Sequence, residues 1–199
     1  MTLALTSHLT SPLPSSLRDL EDSALVGLAK RGSDEAFDEL VRRHAPKLHA
    51  VARRIVGREE AHDVVQDAFI SAYRALPKFL EQAQFTTWLH RITLNACYTR
   101  VRRQPDASSD VELPVDAADA RSPSPAEHAE RRNLRAALET ALGRIKPEFR
   151  ETFVLVEFGE LDYAAVSEVL GIEVGTVKSR MNRARAALRI LLEEWGFQP

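Results

Sequence analysis

The sequence has a single cysteine, Cys97, which excludes an internal disulfide and a cysteine-rich zinc site. Its six histidines are scattered. No HExxH pair, paired-cysteine motif or glycine-rich phosphate loop accompanies them, which argues against metal or nucleotide chemistry. Glycines number only eight, and no alternating apolar run is bounded by turn pairs, so strands are not expected. No apolar run approaches the roughly 20 residues of a membrane span, so no membrane insertion is expected. Residues 1–16 lack a basic start and a long apolar stretch, which argues against a secretory signal; with Ser, Thr and Pro throughout, they read as a flexible tail. A reducing, cytoplasmic location fits these absences. Charge of one sign is also missing: 27 Lys and Arg oppose 29 Asp and Glu, a net of −2. That balance excludes a uniformly basic chain but not separate basic patches.

The 199 residues are 44% hydrophobic and 28% charged, the usual range for a globular chain. They fall into zones. Residues 17–104 are dense in helical periodicity. From residue 105 to 130 the chain carries four prolines, seven acidic residues and one arginine. Such a stretch buries too little apolar surface to offset ordering, which makes residues 105–126 an acidic, flexible linker. Residues 127–199 return to helical periodicity. The expected fold is all-α, with two helical domains on either side of the linker.

In the first domain a helix over 23–31 stops at Gly32. Ser33 or Asp34 caps the next, whose apolar stripe runs through Phe37, Leu40, Leu48, Val51 and Ile55, with a break or kink at Pro46. A third helix over 59–76 has Val64, Val65, Ala68, Phe69 and Ala72 on its inner face, opposite Asp63, Gln66 and Asp67. Thr86 or Thr87 caps a fourth, running to about Arg103. In the second domain, helices are expected over 126–142, 147–158, 163–170 and 174–194. The last two, joined at Gly171, form a helix-turn-helix.

At 100° per residue, Val177, Met181, Ala184 and Leu188 of the last helix form one stripe. Ser179, Asn182 and Arg183 lie opposite, flanked by Lys178, Arg180 and Arg185. Five basic residues and no acidic one occupy 174–192. Such a face on the second helix of a helix-turn-helix suits the major groove: Lys and Arg neutralise phosphate and reach guanine, and Asn reads adenine. An ordinary solvated face would show similar charge, but the short helix and glycine turn before it favour DNA. A second basic stretch, residues 85–104, interleaves four arginines with Phe85, Trp88 and Tyr98 and has no acidic residue. Aromatic rings with arginines suit unstacked bases and their backbone, although Trp88 and Ile92 also suit a core.

Taken in order, DVVQDAFISAYRAL, FTTWLHRITLNA and FRETFVLVEFGELDYAAVSEVLGIEVGTVKSRMNRARAAL resemble an extracytoplasmic-function (ECF) sigma factor of the bacterial sigma-70 class, over about residues 22–191. The resemblance implies a sigma-2-like domain at 17–104 and a sigma-4-like domain at 127–199. It implies docking on core RNA polymerase through Asp63, Gln66, Asp67 and Phe69. It assigns the −10 promoter element, with capture of an extruded base, to Phe79, Leu80, Gln82, Trp88, Arg91, Asn95 and Tyr98. It assigns the −35 element to Thr176, Lys178, Ser179, Arg180, Asn182, Arg183 and Arg185. Core polymerase, promoter DNA and an anti-sigma factor are the implied partners. No cofactor or catalytic residue is implied, and the free protein is expected to be a monomer.

The chain departs from that family in the loop before the fourth helix, where Phe79-Leu80-Glu81-Gln82 replaces a common Phe-Arg-Gly start. It also has His62 where an acidic residue is common, Thr99 where Asp is common, and Tyr163-Ala164-Ala165 in place of Tyr-Glu-Glu. A helix-turn-helix regulator that never joins the polymerase is the competing reading. The DVVQDAF helix and the FTTWL segment argue against it, since such a regulator needs neither. An enzyme would need a nucleophile–base pairing, a metal cluster or a phosphate loop, and no such signal is present.

Overall fold

A computed structural model describes residues 16–80, 83–103 and 125–197. Among them every regular element is helical: α1 (Asp22–Lys30), α2 (Asp34–Val56), α3 (Arg58–Ala75), α4 (Phe85–Arg103), α5 (Pro125–Arg144), α6 (Pro147–Glu157), α7 (Tyr163–Leu170) and α8 (Val174–Glu194). Short 3₁₀ turns occupy Leu17–Asp19 and Leu76–Lys78. The all-α expectation is met. Residues 1–15 of the tail and 104–124 of the linker region lie outside the described residues. No described helix is long and apolar enough to cross a membrane.

Local chemistry sets the boundaries. The Ser33 hydroxyl accepts from the Ala36 amide at 3.2 Å and caps α2. Gly57, at φ 88°, turns the chain between α2 and α3 in a backbone conformation that favours glycine. Two expectations need correction. The chain does not break at Pro46; α2 continues through it from Asp34 to Val56. Proline removes only the bond to the carbonyl four residues back, which belongs to Arg42, and both residues are exposed, so water can take that carbonyl while the apolar face stays packed. Nor do Thr86 or Thr87 cap α4. The helix begins at Phe85, the Trp88 amide donates to Gln84 O at 3.1 Å, and Thr87 is buried within the first turn.

Helices α1 to α4 enclose a core that includes Leu25, Leu40, Leu48, Val64 and Leu89. This core does not stop at the end of the first domain. Val154 and Leu155 of α6, Leu161, and Val166 and Val169 of α7 belong to the same cluster. A second, smaller core joins α5 to α8 through Ala141, Leu142, Ile145, Ala184 and Leu188. The two domains are therefore packed together.

Polar contacts cross the same seam. Arg54 of α2 pairs with Glu139 of α5, both nearly inaccessible, and Arg53 stands 3.5 Å from the same carboxylate. The Arg54 guanidinium also lies over the Phe158 ring, 3.4 Å from its centroid. Lys47 of α2 reaches Glu160, after α6, at 2.6 Å. Removing one partner of a buried ion pair leaves a buried charge uncompensated. Glu139→Ala is accordingly expected to cost about 3–5 kcal/mol, read as a lower denaturation midpoint in urea. An unchanged midpoint would remove this pair from the account of the seam.

Candidate nucleic-acid interface

The helix-turn-helix is fixed at both ends of α7. The Asp162 carboxylate caps it by accepting from the Ala165 amide at 2.7 Å. Gly171 ends it in the left-handed region at φ 65°, ψ 39°, and the Ile172 amide returns to Ser167 O at 3.1 Å. The Ser167 hydroxyl donates to Ile172 O at 2.5 Å and tightens the turn. Helix α8 then buries Val177, Met181, Ala184 and Leu188, the stripe expected from periodicity. Lys178, Ser179, Asn182, Arg183 and Arg185 are exposed; Thr176 and Arg180 are half-buried. Ser179 donates to Thr176 O at 3.0 Å. Arg185 is tied to Glu157 of α6 at 3.0 Å, so it is already engaged within the protein.

The second face is built on α4. Trp88, Arg91, Asn95 and Tyr98 fall within one stripe of the helix. Arg91 and Asn95 are exposed, Trp88 and Tyr98 half-buried. Behind Trp88 sit Phe79 and Phe85, at centroid distances of 4.7 and 5.6 Å. Phe79 is a correction: its ring is 7% exposed and its carbonyl accepts from Lys30 Nζ at 2.8 Å. It supports Trp88 from within and offers no open face to a base. Leu80, the next residue, is 75% exposed. Gln82 lies outside the described residues.

On α3 the four residues grouped by sequence divide between two grooves. Gln66 and Phe69 line a groove of about 940 Å³ against α2, with Phe37, Val41, Ile70 and Tyr73. Asp63 and Asp67 line a smaller one of about 450 Å³ against α4, beside Asn95 and Arg103. Phe69 is 9% exposed and forms the floor of its groove, where its ring packs on Phe37. Sequence reasoning missed Tyr73, which is exposed, packs on Phe37 at 4.9 Å and donates to Asp34 at 2.8 Å. The available signal was an aromatic residue on the outward side of an otherwise amphipathic helix.

The two faces meet. The Tyr98 hydroxyl donates to Glu151 of α6 at 2.8 Å. Arg180 of α8 is near enough to act electrostatically on both groups. Burial, more than the hydrogen bond from Tyr98 opposes it, pushes the Glu151 carboxyl above its ordinary range. Burial and the adjacent Glu151 likewise raise the Tyr98 phenol. A carboxyl raised on folding contributes fully when protonated and loses that contribution as pH rises through its folded value. Glu151→Gln, which keeps an acceptor for Tyr98 without the charge, should therefore raise the melting temperature at neutral pH. The gain should shrink on acidification; a gain that is constant with pH would contradict the assignment.

Two family models match the chain: Sigma-70 region 2 over residues 40–105 and Sigma-70, region 4, over residues 135–188. The ECF RNA polymerase sigma factor SigM of Mycobacterium tuberculosis is 38% identical over 86% of this chain and 84% of its own. The RNA polymerase sigma-H factor of Pseudomonas aeruginosa is 36% identical over 84% and 92%. The ECF RNA polymerase sigma-E factor of Escherichia coli is 33% identical over 85% and 93%. Among solved structures, CnrH in complex with the cytosolic domain of CnrY matches with a TM-score of 0.66 and 31% identity, covering 87% of this chain and 97% of that one. The sigma factor RpoE bound to the anti-sigma factor NepR, from Bartonella quintana, matches with a TM-score of 0.62 and 25% identity, covering 79% and 96%.

Proposed function

Because this chain belongs to the ECF family of RNA polymerase sigma factors, we propose that it directs core polymerase to a dedicated, stress-responsive set of promoters and is held inactive by an anti-sigma factor. The observation that carries this reading is the pairing, in one chain, of an outward basic face on α8 with an aromatic and basic stripe on α4. The first suits duplex DNA and the second suits unstacked bases. A regulator that only binds duplex needs the first alone.

Each region has a role in this reading. Lys178, Ser179, Asn182 and Arg183 meet base edges and adjacent phosphates of the −35 element. Trp88, Arg91 and Asn95 meet the extruded −10 strand, with Phe79 and Phe85 holding Trp88 in place. Asp63, Gln66 and Asp67 dock on core polymerase. The groove over Phe69 gives either that docking or an anti-sigma segment an apolar seat. That one solved structure similar to this chain is a sigma factor in complex with an anti-sigma factor supports control of this kind.

The arrangement of the domains bears on the same mechanism. The two promoter elements lie about 25 base pairs apart, roughly 85 Å at about 3.4 Å per step. Tyr98 of the α4 stripe is bonded to Glu151 of α6, in the domain that carries α8, and Arg180 of α8 acts electrostatically on it. The packed form therefore reaches one element at a time, and engagement of both requires the seam between the domains to open.

In vitro transcription with bacterial core polymerase on a pool of genomic promoter fragments tests the function. Discrete start sites that require the protein are expected; fragment binding without initiation would favour the regulator reading. Arg183→Ala should weaken −35 dependence by about 1–3 kcal/mol if it meets a base edge. Joint Asp63→Ala and Gln66→Ala should weaken core binding with the melting temperature unchanged. Altered promoter choice with intact core binding would overturn the α3 assignment.

A further inference from the structure

Between α4 and the turn joining α6 to α7 lies a histidine that neither proposed DNA face uses. His90 is 1% exposed. Its Nδ1 stands 2.8 Å from Thr86 O on its own helix. A carbonyl only accepts, so Nδ1 carries the proton and Nε2 presents its lone pair. That lone pair is buried and meets no hydrogen-bonding partner among the described residues. What it faces is the backbone of the other domain. A β-carbon on Gly159 would stand 3.0 Å from His90 Nε2 and 3.3 Å from Cδ2, and 2.6 Å from Leu155 O. The turn can lie against the imidazole edge because residue 159 has no side chain.

We propose that His90 makes the packing of the two domains acid-labile: protonation of Nε2 opens the seam between α4 and the α6–α7 turn and separates the two DNA-binding faces. The imidazolium gains a second N–H that the packed form gives no acceptor, and an unpaired charge in such a place is costly. Opening gives it water.

The surrounding charges reinforce the effect. From α2, His44 and Lys47 act on His90 in the direction that disfavours its charged form. Lys47 is itself held by Glu160 of the turn, at 2.6 Å, and His44 by Asp22 of α1, at 2.6 Å. Two turns further along α4, Tyr98 and Glu151 close the same seam.

Burial, and to a lesser degree His44 and Lys47, hold the His90 imidazole below its ordinary value in the packed form, against the Thr86 hydrogen bond. The open form has the ordinary value, about 6.5. The open form thus binds the proton more tightly, and falling pH favours it. The open fraction is insensitive to pH well above that value and grows about tenfold for each unit below it, until the packed form also titrates. Glu151 works in the opposite sense: its raised value makes protonation favour the packed form. Acid-driven opening therefore cannot come from Glu151.

The chain carries its own probe. Cys97, the sole cysteine, is buried on α4, and Glu151 is among the groups acting on its thiol. Its reaction with dithiodipyridine, in which the thiolate attacks the disulfide and thiopyridone leaves, reports opening of the full-length protein. Dividing the rate by that of N-acetylcysteine at each pH cancels the thiol's own titration. Between about pH 7.5 and about pH 5.5 the normalised rate should rise, by up to about tenfold, in the parent and stay flat in His90→Asn and His90→Phe. Asparagine can keep the bond to Thr86, and phenylalanine fills the site without a titrating group. The radius of gyration from small-angle scattering should grow over the same range, with helicity constant. A flat parent profile, an equal rise in both variants, or a parallel loss of helicity would overturn the proposal. The readout is domain opening without polymerase or DNA, so it stands apart from the test of promoter function.

Discussion

The buried guanidinium of Arg54 is the constraint from which the arrangement of the molecule follows. It donates to Ala50 O of its own helix at 2.8 Å, pairs with Glu139 of α5 and stacks on Phe158 at the end of α6. A charge removed from water is tolerable only while its partners stay in place. One side chain therefore holds α2, α5 and the end of α6 together, across the boundary between the two domains. From the end of α6 the turn that follows runs over α4. That path puts Gly159 on His90 and Glu160 on Lys47.

The contacts along the seam differ in kind. The Lys47–Glu160 pair is solvent-exposed on both sides, and such pairs contribute about 1 kcal/mol or less. Tyr98–Glu151 places a carboxylate where burial opposes its charge, so at neutral pH this contact works against its own site. His90 adds a buried acceptor without a donor. The apolar contribution of Val154, Leu155, Leu161 and Val166 to the first core, together with Arg54, must outweigh these terms. A seam with that balance suits the proposed function, in which the two faces work far apart.

The sequence made legible whatever a single helix can express. The inner stripe of α8, the caps at Ser33 and the glycine turn before α8 all follow from periodicity and local hydrogen bonding, and the structure places them as expected. The break at Pro46 does not occur because the proline rule concerns an isolated helix, and here tertiary packing of α2 outweighs one lost bond. Phe79 was named from the resemblance and lies before the basic stretch that begins at Phe85, and a motif match does not say whether a ring faces in or out. The seam was illegible altogether. Arg54 and Glu139 are 85 residues apart, and neither has a local pattern that marks it. The same holds for His90, whose partner is a glycine with no chemistry of its own to notice.

The packed form does not cover the two faces equally. On α8, Lys178, Ser179, Asn182 and Arg183 remain exposed, and Arg180 and Arg185 alone of the basic face are drawn toward α6. On α4, Tyr98 is bonded into the seam and Trp88 is half-buried over its two supporting rings. Duplex contacts at α8 therefore ask little of the seam, whereas a base stacking along the length of the α4 stripe competes with Glu151 for Tyr98. Under the proposed function, closure restrains strand capture more than duplex reading. Release of Tyr98 from Glu151 then belongs to the step in which the duplex opens, where an unstacked base supplies a replacement partner for the ring.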